Sequence, residues 1–71
     1  MYRAKAIVKH DRYDTHNFYA DKEFDTEQEA TAWISSMDGF LFANEVMVGI
    51  DVMEYLEGYH LEGIEAEKIE A

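Results

Sequence analysis

The chain has no cysteine and no proline, and none of its four glycines stands beside another. Without thiols there is no disulfide framework, no thiolate nucleophile and no zinc site built on sulfur. The isolated Gly39, Gly49, Gly58 and Gly63 cannot form a glycine-rich phosphate loop. The only serines, Ser35 and Ser36, have no histidine near them in sequence, and no nucleophile–base motif is recognisable, so no enzymatic activity and no cofactor are expected. No long hydrophobic run exists either. Val46 to Leu56 is the most apolar stretch, but Asp51 and Glu54 interrupt it and it is too short to span a bilayer as a helix. Met1 to Lys9 carries Arg3, Lys5 and Lys9 in place of a signal-peptide core. A soluble, cytoplasmic protein that avoids anionic membranes is the expectation.

The most uneven absence is that of positive charge. Between Lys22 and Lys68 there is no lysine or arginine but twelve acids, and this stretch produces nearly all of the net charge of −10. Such asymmetry informs partners and solubility rather than fold. At 48% hydrophobic residues the chain is too apolar for a disordered acidic tail. Its 71 residues make a single domain, 1–71, with a modest core. Lacking staples, it must rely on packing, oligomerisation or both.

Period-two alternation places Tyr2, Ala4, Ala6 and Val8 on one side of a first strand. A polar connection, Asp11 to Asn17, leads to a second strand with Phe18, Ala20 and Phe24 on one face, giving a hairpin. Thr26 and Glu29 match a capping box ahead of a helix whose stripe is Ala30, Trp33, Ile34 and Met37, with Asp38-Gly39 as its stop. The aromatics Phe18, Phe24, Trp33, Phe40 and Phe42 read as core. Glu45 to Tyr55 reads as the strongest strand, because Val46, Val48, Ile50 and Val52 are β-branched at alternate positions. Residues 59–69 read as a last strand, with Gly63 in a bulge that brings Tyr59, Leu61, Ile64 and Ala66 to one side. A helix from Ile64 is the rival reading there. The fold class expected is α+β, a small β-β-α-β-β domain with an antiparallel sheet and one helix packed on one face.

Two residue sets carry chemistry. His10, Asp11, Asp14 and His16 could chelate a metal if their loop folds back on itself, although the spacing fits no dedicated motif. On the expected third strand, Met47, Met53 and Tyr55 would remain on the sheet face that one helix cannot cover. With Asp51, Glu54 and Glu57 they form the expected partner-binding surface. If the first and last strands are neighbours, Glu62, Glu65 and Glu67 face Arg3, Lys5 and Lys9, leaving Asp38, Glu45, Asp51, Glu54, Glu57 and Glu70 without an internal role.

Phe24-Asp25-Thr26 followed by Ala30 and Trp33 resembles the strand-to-helix step in the N-terminal DNA-binding domains of tyrosine recombinases. Those domains are basic and place three strands before the helix, whereas this chain is acidic with two. The interleaved Tyr2, Arg3, Lys5, Lys9, Arg12, Tyr13 and Tyr19 would suit a single strand of nucleic acid, but the acidic remainder opposes direct nucleic-acid binding. In size and charge the chain resembles small accessory and inhibitor proteins of phages. The expected function is a non-catalytic protein-interaction module, in one form a nucleic-acid mimic that blocks a basic nucleic-acid-handling protein, with a homodimer as a further partner state. The alternative is a metal- or small-ligand-responsive protein using His10, Asp11, Asp14 and His16.

Overall fold

In a computed structural model that describes residues 1–70, the alternation at the N-terminus becomes strand β1, Tyr2–Lys9. Ala4, Ala6 and Val8 are fully buried. Residues 10–15 connect β1 to β2, His16–Phe24, in an antiparallel hairpin. The last strand, β3, spans His60–Lys68 and pairs antiparallel with the other edge of β1, so the sheet order is β2-β1-β3.

Both pairings are irregular at one point. Arg3 and Lys5 stand opposite Glu23 and Tyr19, so β2 carries two extra residues there without reversing its faces. Ile7 and Val8 stand opposite Gly63 and Leu61, which leaves Glu62 as the extra residue of a bulge in β3. That single residue turns both Leu61 and Ile64 towards the core, as the apolar spacing of the segment requires. The expected strand in residues 59–69 is therefore present, and the helical alternative from Ile64 is not.

Helix α1, Glu27–Ile34, begins where the capping signal lies. Thr26 Oγ1 accepts from the Glu29 N–H at 3.1 Å, and its own hydroxyl faces Glu29 Oε1 at 3.4 Å. Glu27 and Glu29 occupy the first turn, where the helix dipole favours negative charge. Ala30 is buried, and Trp33 packs against the rings of Phe24 and Phe42, with centroids 5.7 and 6.0 Å away.

The second half departs from the expected order. The first helix ends at Ser35–Ser36 rather than at Asp38-Gly39, and a second helix, α2, runs over Met37–Val52. A 3₁₀ turn, Glu54–Leu56, follows it. Among the described residues the element order is thus β-β-α-α-β, with three strands where four were expected and two α-helices where one was expected. Alternating β-branched residues misled the strand assignment for 45–55. In the helix, Val46 and Ile50 point inward with Phe42, while Val48 and Val52 point outward. An apolar run that is hydrophobic on both sides carries no clear period, and a β-branched residue costs a helix only a few tenths of a kcal/mol against a good former. Met37 and Phe40, expected in the core, are exposed for the same reason.

The two helices lie on the Ala4, Ala6, Val8 side of the sheet. The molecule is only 16 Å thin in its shortest direction, which accommodates two layers and leaves the other sheet face open. Ser36 carries the chain from one helix into the next, with its N–H bonded to the Trp33 carbonyl and its own carbonyl accepting from Phe40. This tight join brings Gly39 against the carbonyls of Ile34 and Trp33, where a Cβ would overlap backbone atoms. Replacing Gly39 by Ala is expected to destabilise the fold by about 1–3 kcal/mol through overpacking. Urea unfolding checks this, and an unchanged midpoint would show that the two helices are not so closely joined.

Candidate functional site

Three surfaces bring chemically distinctive residues together. The first is the open sheet face. Neighbouring β1 and β3 place Arg3 opposite Glu67 and Lys5 opposite Glu65. Arg3 donates through Nε and Nη2 to Glu67 Oε1 at 2.8 and 2.6 Å, and its guanidinium lies 3.7 Å from the centre of the Tyr19 ring. Lys5 Nζ reaches Glu67 at 2.8 Å and Glu65 at 3.2 Å. Glu62 turns to His60 at 2.9 Å, and Lys9 stands opposite His60 in the ladder. Two of the basic residues near the N-terminus, Arg3 and Lys5, are thus engaged with β3.

The second is the end of the hairpin. His10 Nδ1 accepts from the Arg12 N–H at 3.0 Å, and its ring packs on Tyr13 and Tyr59 with centroids 4.7 and 5.1 Å away. His16 meets Tyr59 at 5.1 Å and Tyr55 at 6.1 Å. The ring of His10 also covers Gly58, whose φ of 85° suits a residue without a side chain. Asp11 and Asp14 are exposed in the connection. The two histidines are therefore joined through Tyr59 rather than through the aspartates. Among the described residues, no three His, Cys, Asp or Glu side chains are grouped to hold a metal ion.

The third is the outer side of α2 and the corner beyond it. Met37, Phe40, Leu41, Met47, Val48 and Val52 form a ridge along the helix, each 44–71% exposed. Expected partner residues fall on this side of the molecule, not on a sheet face. Met47 belongs to the ridge. Asp51, Met53, Glu54 and Glu57 border one open depression at the end of α2, with Tyr59 in its wall. Tyr55 projects beside them, 64% exposed. The helix ends at Met53, whose N–H reaches the Gly49 carbonyl, and has no basic residue in its last turn. Asp51, Glu54 and Glu57 thus add carboxylates to the negative end of the helix dipole. Among the described residues, no lysine or arginine pairs with Asp38, Glu45, Asp51, Glu54 or Glu57.

An apolar groove on the other side of Met53, lined by Phe18, Phe42, Val46 and Gly49 among others, holds about 190 Å³. That is below the ~300 Å³ at which pockets begin to enclose a drug-sized ligand. Sequence reasoning missed the ridge residues Met37, Phe40, Leu41, Val48 and Val52. Their spacing at i, i+3, i+4, i+11 and i+15 was the available signal.

No family model, curated protein or solved structure matches the chain. No helix among the described residues is long and apolar enough to cross a membrane.

The sheet-face network makes a pH prediction. Hydrogen bonds from Lys5, then Arg3, hold the Glu67 carboxyl below the usual carboxylate range, and bonds to Glu67, then Glu65, raise the Lys5 ammonium. A carboxylate with a lowered folded pKa stabilises the fold above its unfolded value, and this contribution is lost as pH falls through the folded value. The raised ammonium contributes below its ordinary value and ceases to do so as pH rises through the raised one. The stability gap between the wild type and Glu67→Gln should therefore be constant near neutrality and shrink in acid. Urea titrations at several pH values measure it, and a gap that persists at low pH would contradict the assignment.

Proposed function

We propose that this chain is a small non-catalytic interaction module that recognises a cationic protein surface at the corner where α2 ends. The observation carrying the reading is the set Asp51, Glu54 and Glu57 at a helix C-terminus without a compensating cation, beside exposed Met53 and Tyr55. In the free protein these carboxylates repel one another and the helix dipole. A partner that brings lysine or arginine relieves that repulsion, while the methionine and tyrosine supply apolar contact at low ordering cost. A basic nucleic-acid-handling protein has the required chemistry, and the acidic corner then stands where phosphates would bind. The interleaved apolar side chains favour a shaped protein contact over a plain polyanion. No specific observation favours the metal-responsive reading.

Capture from lysate by the immobilised chain at low and high salt tests the proposal, with the triple variant Asp51→Asn, Glu54→Gln, Glu57→Gln beside it. Basic nucleic-acid-processing proteins should be retained at low salt, released at high salt and lost with the triple variant. Equal retention by the variant, or retention indifferent to salt, would overturn the reading.

A further inference from the structure

The ridge on α2 meets the acidic corner at its C-terminal end, where Val52 borders the same depression as Asp51, but most of its length lies beyond that corner and needs its own explanation. Its six side chains expose on the order of 600 Å² of apolar surface, at the upper limit of what an isolated soluble domain leaves open. With a polar rim this approaches the ~800 Å² that each partner contributes to a standard interface. The helix beneath it has 16 residues and is therefore about 24 Å long.

Its residue spacing has a further property. Met37, Leu41, Val48 and Val52 are separated by four, seven and four positions, so the pattern reads the same in both directions from a midpoint between Asn44 and Glu45. Two copies of such a helix, laid antiparallel across a twofold axis, place Leu41 of each against Val48 of the other. They likewise place Met37 against Val52. Phe40 and Met47 share one edge of the ridge, and the axis sets each close to the other's copy. A closed twofold contact needs this self-complementarity, in which residue i meets residue j and j meets i. Asn44 sits beside the axis, half-buried in the single chain. Its amide both donates and accepts, so it can pair with its own copy and fix the register.

We propose that the α2 ridge is covered by a second copy of this chain, in an antiparallel twofold pair centred at Asn44. The small, unstapled core gains from this added burial. Among the described residues seven apolar ones form the buried core, and of these only Leu56 and Val8 are large side chains fully shielded from solvent. The pairing has electrostatic opponents: Glu45 lies on the other edge at the midpoint and meets Glu45 of the second copy, and Asp51, one turn on from Met47 and Val48, lies on the ridge face itself. Salt should therefore strengthen the pair. A cationic partner on the same ridge would respond to salt in the opposite direction.

Sedimentation equilibrium of the full chain at micromolar concentration provides the test. The expected species has twice the 8.3 kDa chain mass, with a dissociation constant that falls as salt is raised. Glu45→Gln should tighten the pair about threefold by removing the like-charge contact. Leu41→Glu with Val48→Glu should yield a monomer with an unchanged circular dichroism spectrum, since both positions are exposed in the single chain. The absence of native cysteine allows a geometric check by single substitution. Asn44→Cys should form a disulfide-linked dimer on mild oxidation far faster than Thr15→Cys, at the exposed hairpin end. A monomer at all salt concentrations, looser association of Glu45→Gln, or equal cross-linking at the two positions would overturn the proposal. None of these variants alters Asp51, Glu54 or Glu57, and chain mass is read independently of capture, so failure of the pairing is distinguishable from failure of the proposed function.

Discussion

Strand β1 is hydrogen-bonded on both edges, and the rest of the molecule is arranged around that position. Its inner face is built from Ala4, Ala6 and Val8, small enough to let the helices settle close to the sheet. Its outer face carries Arg3 and Lys5, the cations that hold Glu65 and Glu67 of β3. The same eight residues therefore provide the floor of the core and the ionic pairing that accompanies closure of the N- and C-terminal segments. β1 and β3 are far apart in sequence, so their pairing carries a loop-closure cost that local hairpin contacts do not.

This pairing divides the acidic charge into two populations. Glu65 and Glu67 meet cations inside the domain, and Glu62 meets His60. Asp25, Glu27 and Glu29 gather at the start of α1, where Glu27 and Glu29 suit the dipole. Of the acids between Asp25 and Glu67, those left, Asp38, Glu45, Asp51, Glu54 and Glu57, belong to α2, the 3₁₀ turn after it and the residue that caps that turn. The unpaired charge and the exposed apolar ridge thus occupy one side of the molecule, while the sheet's outer face is internally compensated.

Where contacts are local or follow a clean period, they were legible in the sequence. The alternation in β1, the Thr26–Glu29 cap and the bulge that reconciles Leu61 with Ile64 all have short-range causes. The pairing of Arg3 and Lys5 with β3 follows from the charge pattern for terminal strands that are neighbours. Residues 37–52 were not legible, because inward Val46 and Ile50 and outward Val48 and Val52 together erase the amphipathic signature of a helix. The same outward residues that disguised α2 are those that make it a surface of interest. His10 and His16 were grouped with the aspartates of their own connection. Tyr59, which both histidines contact, comes from the opposite end of the chain, and no sequence spacing indicates it.

The irregularities in the two outer strands bear on how this protein can associate. A flat outer strand offers a row of backbone donors and acceptors to any other extended chain. Here β2 is distorted by two surplus residues and carries Asp21, Lys22 and Glu23 at that point, while β3 is bulged at Glu62 and bears further acids along its length. Neither rim of the sheet is a good template for strand addition, and runaway stacking of sheets into fibres is discouraged at both ends. The exposed apolar surface of the helical side is finite, so a contact made there could close, unlike one made along a sheet rim.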